Sequence, residues 1–107
     1  MTPLQLETTL ELPIIHLNGS GVENLKTEYH NALRSLLKAR EAFAQTTLHP
    51  RDFYPKGNDS YLRAHSERQV AFHHIDQAIS YLETHVQFLF EQSELRTARN
   101  TPYTQEN

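Results

Sequence analysis

The side chains best suited to holding a ligand gather in one stretch, His49-Pro50-Arg51-Asp52-Phe53-Tyr54-Pro55-Lys56-Gly57-Asn58-Asp59-Ser60-Tyr61. Arg51 and Lys56, with Arg63 and Arg68 soon after, alternate with Phe53, Tyr54 and Tyr61. A guanidinium grips phosphate through paired hydrogen bonds, and an aromatic face stacks on a base. The mixture therefore suits a small nucleotide or another compact anion. The same residues also admit a packing role, with Phe53 and Tyr54 folding back over the end of a helix pair and Arg51 solvated or paired with Asp52. A second candidate is Asn18-Gly19-Ser20-Gly21, which opens a helix with free backbone amides and a hydroxyl, an arrangement that accepts anions. It is not a phosphate loop of the Walker type, because no Lys-Ser/Thr pair follows the second glycine.

Other chemistries find little support. The seven histidines include no pair four apart on a helix, the spacing that helical zinc sites use, so no metal site is expected. Asp52 and Glu67 could act as an acid or base, but neither has a partner for a nucleophilic or two-carboxylate mechanism. The expectation is a protein that is not an enzyme and carries no cofactor. A net charge of −3 and a pI near 6.1 argue against long nucleic acid, which selects basic domains. The chain has no cysteine, no apolar run of about twenty residues and no basic-then-apolar start, which together suggest a cytoplasmic protein.

Two long helices must carry these groups. Val22, Leu25, Tyr29, Ala32, Leu36, Ala39 and Phe43 recur at steps of three and four, widened by Leu33 and Leu37, behind a Ser20…Glu23 capping box. That helix should end near Thr46, ahead of Pro50. A second should start at Asn58-Asp59-Ser60 and run to about Leu95, on a seam of Phe72, Ile75, Ile79, Leu82, Val86 and Leu89. Backwards from Phe72 the stripe becomes Arg68, His65 and Tyr61, so it turns polar near the connector.

Glu11–Leu17 is rich in β-branched and apolar residues and reads as a short extended arm before Asn18-Gly19. The whole, residues 1–107, is one mainly all-α domain, an antiparallel helical hairpin with that arm, flexible over 1–10 and 97–107. About ten residues of the second helix should overhang the start of the first, exposing Val86, Phe88, Leu89 and Phe90. With Ile14 and Ile15 of the arm, these would form an interface to further copies or to a partner protein, since a lone hairpin has only two layers. A homo-oligomeric bundle is the expected state.

"LPIIHLNGSG", followed by Leu25, Tyr29, Ala32 and Leu36, and then "RDFYPKG" with Tyr61, Ala64 and Arg68, resembles a group of small uncharacterised proteins of bacteriophages and prophages. The resemblance covers roughly residues 12–90, and its distinctive parts are the HLNG-Ser helix entry and the Arg-Asp-aromatic-Tyr-Pro loop. Small phage proteins of this size include oligomeric sponges, some built of helical hairpins, that sequester nucleotide signals of bacterial immunity. The likeness to those is one of size and architecture. It agrees with the loop chemistry above, and together they make anti-defence sequestration in the host cytoplasm the expected function. The loop chemistry, not the likeness, offers Arg51, Tyr54, Lys56, Arg63 and Arg68 as ligand contacts, with Asn18 and Ser20 added from a neighbour. The alternative is a structural or interaction module that binds a host or phage protein through its apolar surface.

Overall fold

A computed structural model describes residues 10–100 and contains two long helices, α1 (Val22–Ala44) and α2 (Asn58–Asn100). Between them lie two short 3-10 turns, Pro50–Asp52 and Tyr54–Lys56. At 1.5 Å per residue α1 is about 35 Å long and α2 about 65 Å. The chain measures 74 × 30 × 23 Å with a radius of gyration of 20.9 Å. A compact globule of this length would have a radius of gyration near 13 Å, so this is a rod. Among the described residues no helix is long and apolar enough to cross a membrane.

The helices pack antiparallel, as the alternating seams require. Glu23 meets Ser93, Tyr29 meets His85, Arg40 meets Asp76 and Phe43 meets Phe72, which sets a continuous register. All six apolar seam residues of α2 are buried or half-buried. On α1 the seam drifts from expectation: Ala32, Ala39 and Leu37 are exposed, while Leu33 and Arg40 turn inward. Burying Leu33 removes more apolar area from water than burying Ala32. Arg40 can turn inward because Asp76 receives it through two hydrogen bonds, Nε to Oδ1 at 2.5 Å and Nη2 to Oδ2 at 3.2 Å. Its guanidinium also lies 5.0 Å from the Phe72 ring centre.

The core is thin. Among the described residues the buried hydrophobics are Val22, Ile79 and Leu89, joined by the buried polar residues Ser60, His85 and Ser93. His85 stacks on Tyr29 at 5.2 Å and packs on Tyr81 at 4.3 Å. Its Nδ1 lies 3.0 Å from the Tyr81 carbonyl, and because a carbonyl can only accept, that nitrogen carries the proton. Burial, followed by Tyr81, pushes the Tyr29 hydroxyl above its ordinary range.

Several expectations are corrected. The helix entry at Ser20 does not form a capping box: the N-cap is Gly21, with extended backbone and no side-chain cap. The Glu23 carboxylate goes instead to α2, accepting from the Ser93 hydroxyl at 2.5 Å and pairing with Lys26 at 3.1 Å. Lys26 also donates to the Ser93 oxygen at 3.2 Å, so three polar groups clasp the helices here. In the first turn Glu23 is also favoured by the helix dipole.

α2 does overhang the start of α1, but only by residues 94–100, because Ser93 stands opposite Glu23, and a longer overhang lies at the connector end. Residues 86–90 run alongside the first turns of α1, where Phe90 packs on His30 and beneath Lys26, and Leu89 is fully buried. Because Phe43 is opposite Phe72, the first turns of α2 extend past α1 and are flanked by the connector. The connector does not turn back at once; it continues outward before Gly57, whose φ of +107° an L side chain rarely adopts, starts the return. α2 also continues to Asn100 rather than ending near Leu95, so 97–100 is helical. The expected flexible segments 1–9 and 101–107 lie outside the described residues. The arm shows no strand among the described residues; Ile14 and Leu17 are exposed, while Leu12, Pro13 and Ile15 are half-buried.

The two clasps predict acid lability. Ser93 and then Lys26 hold the Glu23 carboxyl below its ordinary value, and Arg40 does the same for Asp76. A lowered folded value means that the unfolded chain takes up protons first as pH falls. The stabilisation is complete above the ordinary carboxylate range and is lost as pH drops through the folded values. Thermal midpoints by circular dichroism should be flat from neutrality to about pH 5 and decline below about pH 4. Asp76→Asn should lower the neutral-pH midpoint and flatten that decline; an unchanged profile would remove the clasp from the account.

Candidate functional site

The connector divides into residues that close the hairpin and residues that do not. α1 ends with carbonyls that have no partner within the helix. Gln45 and Thr46 donate their amides to Ala42 and Phe43, and the Thr46 hydroxyl donates to the Phe43 carbonyl at 2.7 Å. Arg68, reaching from α2, donates to that hydroxyl oxygen at 2.6 Å and to the Ala44 carbonyl at 3.2 Å. Its guanidinium lies 5.4 Å from the Phe43 ring centre and 5.1 Å from that of Phe72. A positive group at a helix C-terminus also opposes the negative end of the dipole. This is why the α2 seam turns polar: Arg68 caps α1.

His49 starts the first 3-10 turn by accepting the Arg51 amide on its Nδ1 at 3.0 Å, and Pro50 suits the next position because it needs no amide partner. Phe53 is half-buried and packs on Tyr61, which packs in turn on His65. The expected folding-back of aromatics is therefore carried out by Phe53, and not by Tyr54, which is 71% exposed. Arg51, Lys56 and Arg63 are exposed too, and among the described residues the side chains of these three and of Tyr54 take no hydrogen bond or ion pair. Arg51 and Arg68 share no acceptor.

At the opposite end, Ser20 lies in a cavity of about 370 Å³ formed by Ile15, His16, Leu17, Gly19, Gly21 and Arg96. The turn that shapes it closes through the Gly19 amide on the His16 carbonyl at 3.1 Å. A Cβ at Gly19 would come within 2.8 Å of the His16 ring, so a larger residue would displace that ring. Asn18 is exposed beside this cavity and does not line it. Arg96 was not among the sequence candidates; the only signal for it was its place on a helix longer than expected. The two candidate regions are separated by the length of α1, and no chain unites them by itself.

Of the apolar candidates, Leu89 is buried inside the hairpin and Ile15, Val86 and Phe88 are half-buried. Ile14 at 80% and Phe90 at 40% exposure remain on the surface. Among the described residues no three His, Asp or Glu side chains gather as a metal ion would need. No protein-family model, curated protein or solved structure matches this chain.

The division within the connector is testable by stability. Phe53→Ala should cost about 1–3 kcal/mol in urea unfolding, because a half-buried ring leaves Tyr61 uncovered. Tyr54→Ala should change stability by less than about 0.5 kcal/mol. Equal losses would mean that both rings serve packing.

Proposed function

We propose that this chain is a non-enzymatic, self-associating protein of bacteriophage type that binds and sequesters a small anionic ligand, a nucleotide immune signal being the class that fits. It would act in the host cytoplasm. The observation that carries this reading is the surplus in the connector. His49, Phe53, Tyr61 and Arg68 account for closing the hairpin. Arg51, Tyr54, Lys56 and Arg63 are left exposed without internal partners, although a turn needs none of these side chains. Two kinds of phosphate-binding cation beside an exposed aromatic ring favour a phosphate attached to a base. Arg68, committed to the end of α1, is not part of the proposed contact set; its role is to hold the loop. Asn18 and Ser20 belong to the other end of the hairpin and join only if a neighbouring copy brings its α1 entry to this loop. Self-association is supported by the thin core and by exposed apolar residues on both helices and the arm.

A second reading, a protein-interaction module, is favoured by the exposure of Ile14 (80%) and Leu17 (96%) on the arm and of Phe90 and Leu95 on α2. Calorimetry with a panel of linear and cyclic nucleotides separates the two. The first reading expects heat with at least one member, and at least tenfold weaker binding in Arg51→Ala and Lys56→Ala, the loss of a charge-assisted contact. No heat with any member, or binding indifferent to both substitutions, would sink it and leave the interaction module.

A further inference from the structure

The first turns of α2 carry a stripe that neither α1 nor the connector covers. Asp59, Leu62, Ser66, Val70 and His73 are all exposed, Leu62 at 63% and Val70 at 55%. At 100° per residue they fall on one face. Asp59, Leu62, Ser66 and Val70 are turned away from the side on which Tyr61, Arg68 and Phe72 meet the connector and α1, and His73 stands at the edge, lining a shallow hollow with Arg40, Ala44 and Asp76. The steps between them are three, four, four and three, so the stripe reads the same in both directions about Ser66. Leu62 and Val70 stand at equal distances on either side of that serine, and so do Asp59 and His73.

We propose that this face is where a second copy of the chain docks, antiparallel, on a two-fold axis that passes Ser66. A two-fold interface requires that if one residue meets another across the axis, the reciprocal contact also forms. The stripe meets that requirement. Leu62 of each copy faces Val70 of the other, which buries both apolar pairs. Asp59 of each copy faces His73 of the other, a carboxylate against a ring N–H that can donate a hydrogen bond to it. The small side chain of Ser66 allows close approach at the axis, where a larger one would hold the helices apart. A parallel pairing would instead set each Asp59 against another Asp59 and each His73 against another His73, and like pairs disfavour it. The partner is therefore a copy of this chain, because the stripe is complementary to itself.

This inference rests on the self-association in the reading above and refines it. In the two-fold pair, the starts of the two α2 helices lie about 24 Å apart along the helix direction, so the connectors flank the interface. The α1 entries lie roughly 40 Å beyond the axis on either side. The pair thus gathers Arg51, Tyr54, Lys56 and Arg63 of both copies around one interface and leaves Asn18 and Ser20 outside it.

Native mass spectrometry and cysteine cross-linking of the full chain test the pairing. Wild type should be at least dimeric at low micromolar concentration, and Leu62→Glu with Val70→Glu should reduce the copy number while helicity by circular dichroism is retained. Because the chain has no cysteine, Ser66→Cys should form a disulfide dimer on mild oxidation, whereas Ser35→Cys, exposed on α1, should not. A monomeric wild type would overturn both this face and the self-association. An oligomer that survives the double glutamate variant, or that cross-links at both cysteines or at neither, would overturn this face alone.

Discussion

The hairpin depends on how α1 is allowed to end. Its last carbonyls point along the axis toward the overhanging part of α2, with no continuing helix to receive them. Arg68 meets them with two donors, and its flat face rests near the rings of Phe43 and Phe72, the last apolar layer shared by the helices. An ammonium could not do both, since it lacks the planar fork. Everything outward of this point is arranged by it. The connector leaves α1 at a defined height, proceeds along α2 and presents its two 3-10 turns beside Tyr61.

The rest of the pairing is held by polar groups as much as by apolar ones. One clasp joins Glu23, Lys26 and Ser93 near the start of α1, another joins Arg40 and Asp76 near its end, and the Tyr29–His85–Tyr81 stack lies between them. Exposed ion pairs contribute little stability, commonly below about 1 kcal/mol each. Their value here is in register: sliding either helix by one turn would separate Arg40 from Asp76 and Glu23 from Ser93 together. A thin core with a well-specified register is compatible with the proposed self-association.

The fold was legible where large apolar residues repeat without competition. The α2 seam from Phe72 to Leu89 follows directly, as does the antiparallel order of two helices joined by a short connector. The middle of α1 was not, because Ala32 and Leu33, and likewise Ala39 and Arg40, offer neighbouring phases. The choice between them is made by Asp76 on the other helix, which local periodicity cannot see. Ser20 and Glu23 had the spacing of a capping box, but a carboxylate that reaches Ser93 across the hairpin is no longer available to its own helix. The second overhang, at the connector end, has a similar cause: residue counts give the connector's length but not its direction. In the candidate site, the sequence singled out Arg51, Tyr54, Lys56, Arg63 and Arg68 as a cluster, while their separation into one structural arginine and four outward groups depends on where α1 stops.

The claim that Arg68 ties the end of α1 to α2, and so shapes the connector, is tested most directly by a double-mutant cycle of Arg68→Ala and Thr46→Val, read by urea unfolding. The account predicts that the two substitutions are coupled by about 0.5–1.5 kcal/mol, the second costing less once the first is made, because both remove one hydrogen bond. Additive losses, with no coupling beyond error, would contradict it and release Arg68 for another role.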